Sequence, residues 1–103
     1  MLIYILNAQG TDLYKIGITT RTTGKRIKNL QTGSGHIIVE VYTHESDYAN
    51  VIEKMLHRHY KYLQQKGEWY LFDQISIEEV KQKLHFFEGV VKNLKNGQEE
   101  SSD

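Results

Sequence analysis

The order of apolar and polar residues divides the chain into strands before residue 45 and mainly helices after it. Residues 2–6 (LIYIL) are apolar throughout, with Leu2, Tyr4 and Leu6 on one face and Ile3 and Ile5 on the other, the pattern of a strand covered on both sides. Residues 7–12 (NAQGTD) are turn-forming and of hairpin length. They return the chain antiparallel into residues 13–19, where Leu13, Tyr14, Ile16, Ile18 and Thr19 suit a pleated surface. Gly17 interrupts that strand, which marks a bulge or a place where a backbone or a ligand comes close. Residues 36–43 (HIIVEVYT) predict a third strand, with Ile37, Val39 and Val41 on one face and Ile38, Glu40 and Tyr42 on the other.

Helical spacing begins between the second and third strands. Thr22 or Thr23 caps a short helix with Ile27 and Leu30 as its apolar stripe, Gly24 as an early blemish and Gly33 as its C-terminal stop. Ser46 or Asp47 opens the longest helix, which runs to about Gln64 and carries Tyr48, Ile52, Met55, Leu56, His59, Tyr62 and Leu63 at core spacing. Glu53 and His57, four apart, share another side of it, with Tyr60 three residues on. Residues 67–72 (GEWYLF) have the aromatic density of a short strand or extended segment. Ser76 and Glu79 form a capping box for a last helix with Val80, Leu84, Phe87 and Val91 as its stripe. The reading is one domain over 1–94, followed by a polar, acidic tail over 95–103 that frays.

Composition narrows the chemistry. A chain of 103 residues builds one core rather than two, and the absence of Cys removes disulfides, thiolate catalysis and thiolate zinc sites together. The opening apolar run is too short for a membrane span or a signal peptide, so the expectation is a cytoplasmic protein. A formal charge of zero hides an uneven distribution. No acidic residue lies between Asp12 and Glu40, whereas Lys15, Arg21, Lys25, Arg26 and Lys28 do, so the second strand and the helix after it carry a positive potential suited to phosphate.

These parts come in an order that phosphodiester hydrolysis could use: a strand tyrosine (Tyr4), a cation and a glycine on the next strand (Lys15, Gly17), a helix arginine (Arg26) and a carboxylate on a later helix (Glu53). Leu2-Ile3-Tyr4, then Tyr14-Lys15-Ile16-Gly17, then Arg26 resemble a GIY-YIG nuclease domain. With Leu30-Gln31-Thr32-Gly33, Glu53-x-x-x-His57 and Gly67-Glu68-Trp69-Tyr70, the pattern over roughly 1–75 resembles the phage and viral branch of that superfamily. The resemblance implies an α/β (α+β) fold, a small three-stranded antiparallel sheet flanked by helices, and a single-metal endonuclease site for nucleic acid, DNA more than RNA. Carried over, Tyr4 activates or positions water, Arg26 binds the scissile phosphate and Glu53 holds Mg²⁺ or Mn²⁺. Arg21, Lys25 and Lys28 would line the nucleic-acid path. A homodimer or a partner protein would supply specificity, since no separate DNA-binding domain is present in these residues.

The sequence departs from the family pattern in three places. Leu2 replaces the leading glycine, and no late asparagine aligns. The tyrosine of YKIG stands three residues before the glycine instead of two. Strand alternation then puts Lys15 on the face of Gly17 and turns Tyr14 to the other, so Lys15 takes the second catalytic position, open to a cleft shared with Tyr4, Arg26 and Glu53. Without the resemblance, Tyr4 reads as a core tyrosine, Glu53 as a solvated helix carboxylate and Arg26 as part of a solvated basic face. His57 divides evenly between a structural hydrogen bond and a site role, while His36, His44, His59 and His85 read as structural or exposed. Trp69 and Tyr70 read as core or base-stacking residues. The alternative function is a catalytically weak or inactive module of the same fold that binds DNA or a nucleotide.

Overall fold

In the computed structural model, residues 1–20 and 35–101 are described, with side chains to Lys95. The basic helix expected after residue 20, with Arg21, Lys25, Arg26, Lys28 and the Leu30-Gln31-Thr32-Gly33 motif, lies outside the described residues.

Strand β1 (Leu2–Ala8) pairs antiparallel with β2 (Leu13–Thr19) in the register Tyr4↔Gly17. The turn between them is closed by its own polar side chains. The Asn7 amide donates to the carbonyls of Thr11 and Leu13, the Thr11 hydroxyl donates to the Ala8 carbonyl at 2.6 Å, and Gly10 supplies a φ of 81°. Strand β3 (Ile38–Glu45) pairs antiparallel with the other side of β1.

The sheet has five strands, not three. Helix α1 (Ala49–His59) is followed by a 3₁₀ turn, Lys61–Leu63, and then by β4 (Gln64–Lys66) and β5 (Trp69–Leu71). Gly67, at φ 56°, reverses the chain between these two, and β5 adds antiparallel to β2, giving the order β3-β1-β2-β5-β4. β2, the strand carrying Lys15 and Gly17, is therefore the middle strand. Helix α2 (Ile77–Ser101) completes the fold.

Alternation along β1 and β2 splits the core in two. On one face Ile3, Ile5 and Ile16 pack with Ala49, Ile52 and Leu56 of α1 and with Val80, Leu84 and Val91 of α2. On the other, Tyr4, Leu6, Ala8 and Ile38 form a smaller cluster flanked by Leu13 and Trp69.

Three expectations are corrected. The pairing of β1 with β3 shifts register between Ile5 and Leu6, whose partners are Tyr42 and Glu40; this bulge leaves Val41 extra and turns Tyr42 onto the helical face with Ile5. The long helix ends at His59 rather than near Gln64, so Tyr60 joins the core while Tyr62 is exposed. It also begins without a side-chain cap: neither Ser46 nor Asp47 occupies the cap position, which Tyr48 fills, and the buried Ser46 instead accepts a hydrogen bond from the Tyr48 N–H at 3.0 Å. At the start of α2 the Ser76 hydroxyl accepts from the Glu79 N–H at 3.2 Å, as the capping box predicts, and Glu78 and Glu79 complement the helix dipole.

Candidate active site

Lys15 and Gly17 lie on the same face of β2 as Tyr4, while Tyr14 points to the helical face, where its ring stacks on Phe72 at 5.6 Å. The alternation argument for Lys15 over Tyr14 thus holds for orientation. Gly17 is explained by Tyr4. A Cβ at Gly17 would lie 2.9 Å from Tyr4 Cε1 and closer still to Cζ and the hydroxyl, so the phenol crosses the strand where only a glycine leaves room. Tyr4 is fully buried.

Lys15 is not open to a cleft. It is 8% exposed, its ammonium pairs with Glu68 at 3.1 Å, and it stands 5.8 Å from the centroid of the Trp69 ring. The cause is the addition of β5, which sets Trp69 opposite Lys15 and delivers the preceding Glu68 to the ammonium.

Helix α1 brings Glu53 and His57 to the same place. One ligating atom each from Glu53, His57 and Glu68 lies within 4.8 Å of the other two. His57 is held on both sides. Nε2 is 2.9 Å from the Ile16 carbonyl, which can only accept, so that nitrogen carries the proton; Nδ1 then accepts from the Tyr70 hydroxyl at 2.6 Å. Burial, with the charges of Glu68 and Glu53, pushes the Tyr70 phenol up to about 12, so it remains a donor. Both imidazole nitrogens are thereby engaged. Glu53 and Glu68 remain as oxygen donors.

Burial raises the pKa of Glu53 above the usual carboxylate value. His57 opposes that rise, Glu68 adds to it, and Lys54 and Lys15 oppose it. Two carboxylates at short range, one of them partly desolvated, favour a cation between them. Of the predicted residues, Lys15, Glu53 and His57 are thus gathered around Glu68 at the edge of β2. Tyr4 does not share a cleft with Glu53 as expected: it is buried on the sheet face opposite α1, because strand alternation sets it against Ile3 and Ile5, with its hydroxyl over Gly17, the residue after the one whose carbonyl holds His57. Arg26, Arg21, Lys25 and Lys28 fall outside the described residues.

Glu68 is a site residue that the motif contained without a role of its own, and Tyr70, expected in the core or stacked on a base, is buried in the core and also holds His57. The signal was a lone carboxylate heading an aromatic strand. Its meaning depended on β5 pairing with β2, which no local pattern specifies.

Among the described residues, a five-stranded antiparallel sheet with two helices, and with a lysine, two carboxylates and an oriented imidazole beside its middle strand, makes a small α+β domain. The T5orf172 domain family matches residues 1–88, and the chain belongs to that family, an endonuclease-type domain of phage-related proteins. No curated protein and no solved structure matches the chain. Among the described residues no helix is long and apolar enough to cross a membrane.

Proposed function

We propose that this domain is a GIY-YIG-type endonuclease that hydrolyses phosphodiester bonds in DNA with Mg²⁺ or Mn²⁺. The observation that carries the reading is the grouping of Glu53, His57 and Glu68 within 4.8 Å beside the Lys15 ammonium. The donor chemistry fits a hard dication, with carboxylate oxygens from Glu53 and Glu68 and room for water ligands on partly exposed side chains. Such an ion supplies Lewis-acid polarisation of a phosphoryl oxygen and acidifies water. The chain's own residues do the rest. Lys15 neutralises Glu68 and offsets the charge that develops on the phosphate, and Arg26 binds the scissile phosphate; His57, held by the Ile16 carbonyl and the Tyr70 hydroxyl, ties α1 and with it Glu53 to β2, while the buried Tyr4 fixes β1 over Gly17 and meets no water.

A second reading, a module that binds DNA or a nucleotide with little cleavage, is favoured by one observation: Lys15 is buried and already paired, so it presents little free charge to a phosphate. Specificity in either case would come from a second copy or a partner protein. Metal-dependent nicking of supercoiled plasmid by the wild type and by Glu53→Gln, alongside duplex-binding isotherms for both, tests the choice. The nuclease reading expects nicking that E53Q abolishes while binding survives; binding without nicking by the wild type leaves the module.

A further inference from the structure

A second group of ligating side chains lies between β3 and α2. The bulge in β3 turns Tyr42 onto the helical face, and residues beyond it follow, so His44, opposite Ile3, faces α2. There α2 offers His85 and Glu88, three apart and hence on one side of the helix. One nitrogen of each imidazole and one oxygen of Glu88 lie within 4.8 Å of one another. His44 Nε2 is 2.9 Å from Glu88 Oε2, and the His85 ring stands edge-on to His44 with centroids 4.7 Å apart.

Each of the two α2 residues is held from behind. The Tyr42 hydroxyl is 2.7 Å from His85 Nε2, and the Ser46 hydroxyl bonds the Glu88 carboxyl. Such outer hydrogen bonds are how ligating imidazoles and carboxylates are oriented. Two imidazoles and one carboxylate form the donor set of an open, three-ligand zinc site, and imidazole suits Zn²⁺ far better than Mg²⁺.

We propose that His44, His85 and Glu88 bind a transition-metal dication, with Zn²⁺ the best match, and that the ion clamps β3 to α2. With bonds of about 2.0–2.2 Å, tetrahedral ligand atoms stand roughly 3.3 Å apart. His44 and Glu88 are already within a few tenths of an ångström of that spacing, and the proton they share is what the ion displaces. His85 is exposed, so its side chain is able to close the set, and the fourth position faces solvent. Lys92, whose charge also acts on Glu88, is exposed and screened.

The test must exclude the Glu53 cluster, so it uses the full chain carrying Glu53→Gln with ZnCl₂ as the probe. Calorimetric titration of E53Q should give one Zn²⁺ per chain, and E53Q combined with His85→Ala should bind at least about tenfold more weakly. Because His85 is exposed, this variant retains the fold, which circular dichroism checks; a second double variant, with Glu88→Gln, should lose binding in the same way. Zn²⁺ should raise the melting temperature of E53Q and leave that of both double variants unchanged. Absence of Zn²⁺ binding by E53Q, or equal binding by E53Q and E53Q/H85A, overturns the site and leaves the nuclease reading untouched.

Discussion

Glu53 is the residue at which stability and the proposed function oppose one another. Its folded pKa is raised, so the folded chain holds this proton more tightly than the unfolded one, and the associated stability is fully present below the ordinary glutamate value of 4.5 and lost as pH rises through the folded pKa. At neutral pH the ionised carboxylate is therefore a cost to folding. Glu53→Gln should melt at a higher temperature than the wild type at neutral pH, with the difference vanishing below pH 4.5, as thermal scans across that range would record. Metal-dependent cleavage should run the other way, declining as pH falls through a value above the usual carboxylate range. Gly17 gives a purely steric counterpart. Gly17→Ala drives a methyl into the Tyr4 ring and should cost about 1–3 kcal/mol by denaturant unfolding, and the cost should shrink in a Tyr4→Leu background. The orientations of Tyr4, Lys15 and Tyr14 were legible in the sequence because strand alternation depends only on parity. The burial of Lys15 was not, since it depends on a carboxylate fifty-three residues away.

Between elements, what the sequence concealed follows from pairing. Three strands were readable from their apolar runs, and β5 as a short strand or extended segment from its aromatic density, whereas β4 (QQK) has no apolar residue and exists because Gly67 folds it back onto β5. The bulge in β3 was hidden for a similar reason: HIIVEVYT alternates without a visible break, and only its partner β1 shows that one residue is extra. That extra residue decides which histidines meet α2. The β4–β5 turn in turn sets the position of Glu68, so Gly67→Ala, strained at φ 56°, should destabilise by about 1 kcal/mol. It should also lower metal-dependent cleavage at low metal concentration more than at saturation. Nicking rates titrated with Mn²⁺ would distinguish that pattern from a simple loss of folded protein.

For the whole molecule, the neutral formal charge conceals a cationic stretch from Lys15 to Lys28 that is set against acidic residues elsewhere. If that stretch meets DNA, duplex affinity should fall steeply with salt, and Lys28→Ala should reduce the slope by roughly one contact while leaving turnover at saturation nearly unchanged. If Arg26 meets the charge of the transition state, as proposed, Arg26→Ala should instead lower turnover by about 10² or more with a smaller effect on binding. Binding isotherms at several salt concentrations and single-turnover kinetics separate the two. The central claim, that the Glu53–His57–Glu68 cluster beside Lys15 is a metal-dependent phosphodiesterase centre, is tested most directly by plasmid nicking with Mg²⁺ or Mn²⁺, wild type against Glu53→Gln. The wild type should convert supercoiled to nicked plasmid only with metal, and E53Q, folded and at least as stable, should not. Equal nicking by both proteins, or none by the wild type with either metal, would contradict it.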